Sequence, residues 1–170
     1  DWAKIDIETT TLRDRNHPSI FTWSTGNEID IAYPRVMKTA VKLMEKFKTS
    51  QNAYRLDPDV IKPEEIRAVY ESIEPEVYDM GSTSSNLVRW TKNIDLTRPV
   101  SSNCVIPSIG YESGYLTPLD IVGYSYARRT YEYGHKYYNH IPIFGGENFG
   151  QWCDWEPIAN NDYLSGMFIW

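Results

Sequence analysis

Apolar positions along the chain fall into two rhythms. Between Pro34 and Phe47, Val36, Met37, Ala40, Val41, Leu43, Met44 and Phe47 recur at near-helical spacing, with Lys38, Lys42 and Lys46 on the other side. That is the pattern of an amphipathic helix. Ser82 to Asn93 repeats it, with Leu87, Val88, Trp90 and Ile94 on one side. Ala3 to Asn16 predicts a surface helix, carrying Ile5, Ile7 and Leu12 among charges and weakened by three consecutive threonines. The second rhythm is short and continuous. Asp120 to Tyr126 is nearly all apolar or aromatic, as in a parallel strand buried on both faces. Val100–Ile106, Ile143–Glu147 and Ser165–Trp170 read as further strands.

The stretch from Arg13 to Glu28 joins both rhythms. Pro18 biases His17 away from the helical region, so the first helix should stop there. Ser19 to Ser24, rich in Ile, Phe, Thr and Trp, predicts a strand. Thr25-Gly26 is expected to break it and leave Asn27 and Glu28 at the start of a loop. Lys48 to Gly81, with Pro58, Pro63, Pro75 and many carboxylates, reads as an excursion of the helix layer. Within it Pro63 opens a short helix through Ser72. The tyrosine-rich segment Arg128–His140 is expected to carry another helix. Alternating strands and helices indicate an α/β fold. No Gly-x-Gly-x-x-Gly turn or phosphate loop is present, which argues against a nucleotide-binding version.

Composition narrows the class. Of 170 residues 41% are hydrophobic, mean hydropathy is −0.50, and no long apolar run predicts a membrane span. That is an ordinary soluble composition, and it does not choose a compartment. A net charge of −6 gives no reason to expect nucleic-acid binding. Cys104 and Cys153 lie far apart, and His135 and His140 have no partner spacing, so no metal site or cofactor is expected. Thirteen Tyr and six Trp fit a sugar-binding cleft or a plain core equally well. Asp1 at the front and an apolar run up to Trp170 lead to the expectation that residues 1–170 are one incomplete domain, cut at both ends.

The chemistry sits at two strand ends. Glu28 comes after one short strand, and Glu147 ends another that closes in Gly145-Gly146. A carboxylate held there is fixed by the strand and reachable from the loop side. Two such glutamates are the parts of a retaining glycosidase, in which one carboxyl protonates the leaving oxygen and the other attacks the anomeric carbon. Either residue alone reads equally as a solvated loop carboxylate.

Asn16 to Glu28 runs Asn-His-Pro-Ser, three mostly apolar residues, Trp-Ser, a spacer, then Asn-Glu. This resembles the acid/base signature of glycoside hydrolase family 2, the β-galactosidases, β-glucuronidases and β-mannosidases. Thr22 is its one mild departure. The resemblance implies a partial (β/α)8 TIM barrel, running from the helix after barrel strand three through strand eight. It implies Glu28 as acid/base and Glu147 as nucleophile, with their carboxyls roughly 5–5.5 Å apart. It also implies a terminal β-linked sugar as the partner, with β-galactosidase-type activity expected first. β-Glucuronidase, β-mannosidase or a non-hydrolysing carbohydrate-binding fragment are the alternatives. Asn27 matches the amide that meets the sugar 2-hydroxyl, and Tyr126 the tyrosine that holds the nucleophile. Ser125 stands where the family usually has Asn. Trp170 matches the tryptophan flooring the sugar site, and reads equally as an ordinary core Trp. Asn148, Trp152 and Trp155, just beyond the nucleophile, read as lining the pocket, with loop or surface aromatics an equal alternative. His17 and Trp23 read as structural members of the signature.

Overall fold

The computed structural model describes residues 2–48 and 61–170. Helix α1 (Trp2–Asp14) leads to β1 (Trp23–Asn27), a 3-10 turn (Ile29–Ala32) and α2 (Pro34–Phe47). Then come α3 (Pro63–Glu71), α4 (Met80–Ile94), β2 (Val100–Cys104), α5 (Pro107–Glu112) and β3 (Ile121–Ser125). A second 3-10 turn (Arg128–Thr130), α6 (Tyr131–Tyr137), β4 (Ile143–Asn148), α7 (Trp152–Asn160) and β5 (Leu164–Ile169) complete the chain. All four strand pairs are parallel, and the sheet order β1-β2-β3-β4-β5 is the order in the sequence. Each strand thus leads into helical structure, and the next strand returns beside it, which is how the wall of a (β/α) barrel is built. The expected α/β fold, with part of such a barrel, is what forms.

Helix α2 spans the residues its periodicity predicted, and α3 falls one residue short of Ser72. The rest of the Lys48–Gly81 excursion includes residues 49–60, which lie outside the described residues. Its charged face outward, α2 buries Val36, Ala40 and Leu43 completely. They join Ile66, Val100, Val122, Tyr124 and Ile143 in the layer between helices and sheet.

The first strand departs from expectation. It is Trp23–Asn27, not Ser19–Ser24. Arg98 is the reason: its guanidinium donates to the carbonyls of Arg15, His17 and Ile20 and holds the intervening chain as a turn. Pairing begins only where the Trp23 N–H reaches the Pro99 carbonyl at 2.9 Å. Gly26 lies inside the strand instead of breaking it. A Cβ there would stand 3.0 Å from Ser102 Oγ and 3.4 Å from Tyr115 Oη, so the glycine lets β1 close on its neighbours. Helices α5 and α7 were not anticipated; α5 opens with Pro107 at its first turn, and α7 carries Pro157 inside.

The tyrosines resolve largely into core. Tyr111 stacks on Tyr138 with centroids 4.1 Å apart, and Tyr124 on Tyr131 at 5.4 Å. Beneath them the buried Glu112 carboxylate accepts from Arg67 (2.7 Å), Tyr133 (2.9 Å) and Tyr138 (2.5 Å). A buried charge is tolerable when its lone pairs are filled in this way. Among the described residues no helix is long and apolar enough to cross a membrane.

Candidate active site

The turn leading into β1 is clamped from the side. Asp95 accepts from Trp23 Nε1 (2.9 Å), the Thr97 N–H (2.8 Å) and hydroxyl (2.6 Å), and Arg98 Nη1 (2.9 Å). These donors, Thr97 foremost, hold its carboxyl well below the usual carboxylate range. His17 Nδ1 accepts from the Ser19 N–H at 3.3 Å. His17 and Trp23 therefore act structurally, as expected of them.

At the far end of β1 the backbone turns sharply. Glu28 has φ 53°, in the left-handed region. Two residues on, Asp30 is fully buried and its Oδ2 accepts from the N–H groups of Val105 (2.9 Å) and Ile106 (2.6 Å). That carboxylate ties the turn after β1 to the loop after β2, and so fixes where Glu28 stands. Sequence reasoning missed it; an acid two residues beyond a catalytic candidate carries no distinguishing pattern.

Two bulges set which side chains share a face. Along β1 the register passes from Ser24↔Ser101 to Asn27↔Asn103, and along β4 from Tyr124↔Gly145 to Ser125↔Glu147. Each bulge inserts a residue and so re-aims the side chains beyond it. Gly145 faces the helices, since a Cβ there would meet Tyr131 Oη and Asn148 Nδ2. Gly146 faces the other way, against Asn103. The extra residue turns Glu147 onto the same inner face as Asn103 and Asn27.

On that face the groups converge. Asn27 Nδ2 donates to Glu147 Oε1 at 3.1 Å, and Tyr126 Oη donates to Glu147 Oε2 at 2.9 Å. Asn103 Nδ2 donates to Asn27 Oδ1 at 2.9 Å. This last bond presents the NH2 of Asn27 to the carboxylate. Asn103 is the second residue that sequence reasoning missed. Its signal was an amide inside a strand, where Asn is depleted. Room for it comes from Gly123, where a Cβ would collide with Asn103 Oδ1. Tyr126 also has a left-handed backbone, φ 55°. Strained backbone of this kind concentrates at functional sites.

The two glutamates differ in surroundings. Burial pushes the Glu28 carboxyl up, with the negative charges of Glu147 and Asp30 adding and the Ser125 hydroxyl opposing. Its Oε1 is buried without a hydrogen-bond partner. The hydrogen bond to Glu147 raises the Tyr126 phenol. Trp170 comes directly after β5, its N–H bonded to the Asn148 carbonyl at 3.0 Å. Phe168 meets Phe144 edge-on at 5.7 Å on the inner face, and alternation puts Trp170 on that face too.

Asn148 is a correction. It was expected to line the pocket, but the bulge turns it outward into the seam with β5. There it is 1% exposed and donates to the Phe168 carbonyl at 3.2 Å. Trp152 and Trp155 likewise line a hollow of about 320 Å³ with Met167 and Ile169. Met167 is on the helix-covered side, against Gly145, so these tryptophans stand behind the strand that carries Glu147. Among the described residues no group of three His, Cys, Asp or Glu side chains is placed to hold a metal ion.

The chain is similar to known proteins. The sequence model of the family described as glycosyl hydrolases family 2, TIM barrel domain, matches residues 3–59. The β-galactosidase BoGH2A of Bacteroides ovatus is 31% identical over 126 residues, covering 74% of this chain and 13% of that protein. A β-galactosidase of Lactococcus lactis is 28% identical over 159 residues, 94% of this chain and 12% of that protein. A solved glycosyl hydrolase family 2 member from Bacteroides cellulosilyticus superposes with TM-score 0.63 and 23% identity, over 98% of this chain and 17% of its own. The chain belongs to glycoside hydrolase family 2. It spans about an eighth of the length of the curated relatives it matches. As part of a family 2 barrel, it supplies five adjacent strands.

Proposed function

We propose that the protein carrying these residues is a retaining, exo-acting glycoside hydrolase that removes terminal β-linked sugars, β-galactosides first. The observation that carries this reading is the contrast between two carboxyls on one face. Glu147 is held by a donor on each oxygen, whereas burial and like charge raise Glu28. In the first step a Glu147 oxygen attacks the anomeric carbon while Glu28 protonates the departing glycosidic oxygen. In the second, Glu28, now ionised, takes a proton from the water that hydrolyses the glycosyl-enzyme bond. Two inversions give net retention.

Asn27 has one amide hydrogen on Glu147 and a second free for the sugar 2-hydroxyl. Its carbonyl is already taken by Asn103, so donation is the role left to it. A bond to the 2-hydroxyl strengthens as positive charge grows on the ring. Trp170 offers an exposed ring on the inner face against which the apolar side of a pyranose packs.

The whole protein should cleave aryl β-glycosides, and a panel of galactosides, glucuronides and mannosides ranks the sugars. Glu147→Ala should abolish turnover, and added azide should restore part of it by giving an α-glycosyl azide. Near-normal turnover of Glu147→Ala without azide rules this mechanism out.

A further inference from the structure

Ser125 is the last residue of β3 and is fully buried. It stands in register with Glu147. Gly123, two residues earlier, faces Asn103, so Ser125 points to the same inner face. Its Oγ has no hydrogen-bond partner, and neither has the buried Oε1 of Glu28. Two buried polar atoms left unpartnered in one site are costly unless something in the working cycle joins them.

Resting on Glu28 as the acid/base, we infer that Ser125 is a positioning residue whose hydroxyl donates to the Glu28 carboxylate once that group has given up its proton. A hydroxyl turns freely and needs no other bond broken to do so. The donor holds Glu28 ionised and aimed for the second step, when it must accept a proton from water. The other charged or titratable groups around Glu28 give no such help. Glu147 on β4 and Asp30 in its own turn repel its negative charge. Cys104 at the end of β2 is buried, with its thiol pushed up by desolvation. The raised Tyr126 phenol is engaged with Glu147. Among the described residues, the Ser125 hydroxyl is the group that pulls the Glu28 carboxyl down.

The test is the pH profile of kcat/KM on an aryl β-glycoside, using the whole protein. Ser125→Ala should move the basic limb up by about half to one pH unit, with the acidic limb in place. Ser125→Gly removes the same hydroxyl and should do the same. Ser125→Thr keeps the hydroxyl and should keep the limb at its wild-type position. Basic limbs of the Ala and Gly variants that coincide with wild type overturn the inference while leaving Glu28 as acid/base. A wild-type basic limb that persists in Glu28→Gln overturns the reading of Glu28, and the inference with it.

Discussion

The ends of β1 and β4 make a natural experiment in environment. Each strand carries a bulge shortly before its glutamate, and the charge of Glu147 acts on the Glu28 carboxyl. Yet one carboxyl is filled and the other is left wanting. Glu147 has Asn27 on one oxygen and Tyr126 on the other. Glu28 has a buried oxygen with nothing bonded to it and two acidic neighbours, and its carboxyl is raised. Identical side chains on parallel strands thus meet different surroundings, donors on both oxygens at Glu147 and burial beside like charges at Glu28. Separation of this kind is how paired carboxyls come to divide acid and nucleophile roles.

The sharpest break is at Glu147. Its replacement by Ala should lower kcat by at least about 10⁴-fold, read as turnover of a nitrophenyl glycoside. Glu28→Ala should cost about 10²–10⁴-fold on substrates with poor leaving groups. On dinitrophenyl glycosides the first step needs no proton, so the loss there should be much smaller. Equal losses on both classes would erase the distinction between the two carboxyls. Tyr126→Phe removes one of the two donors that set Glu147 apart. A hydrogen bond to a charged group is worth about 1.5–3 kcal/mol, so kcat should fall about 10–100-fold, with KM moving less.

Much of this was legible beforehand, and particular residues show why. The periodicity of α2 gave its limits because one face is charged and Val36, Ala40 and Leu43 on the other are fully buried. Asn27, Glu28, Tyr126 and Glu147 were singled out from the family resemblance, and the fold brings Asn27 and Tyr126 within hydrogen-bonding distance of Glu147. The start of β1 was not legible, since only Arg98, far along the chain, holds the preceding segment out of the sheet. Asn148 was misplaced because a bulge shifts facing by one residue, and a residue count along a strand does not reveal it. Asp30 and Asn103 act through partners that only the fold brings near.

A third carboxylate calibrates the other two. Asp95 lies off the inner face, and its folded value lies below the unfolded one. Its contribution to stability is therefore complete above the unfolded value of about 3.9 and is lost as pH falls toward the folded value. Glu28 has the opposite sign. Its raised carboxyl favours the folded state at low pH, and that advantage is lost as pH rises through its folded value. Asp95→Asn should destabilise the whole protein by about 1–3 kcal/mol near neutrality, measured by denaturant unfolding. An unchanged midpoint would remove Asp95 from the clamp that sets β1.

The left-handed backbone at Glu28 bears on how such a protein drifts under selection. A long side chain there is held in a conformation that Asn adopts more readily. Its charge is also partly buried among like charges. Glu28→Asn relieves both, so the variant should be about 1–2 kcal/mol more stable than wild type while losing acid/base catalysis. A library selected only for heat resistance would then be expected to lose its chemistry at this position first. Sequencing the survivors at residue 28 measures how strongly folding alone opposes the glutamate.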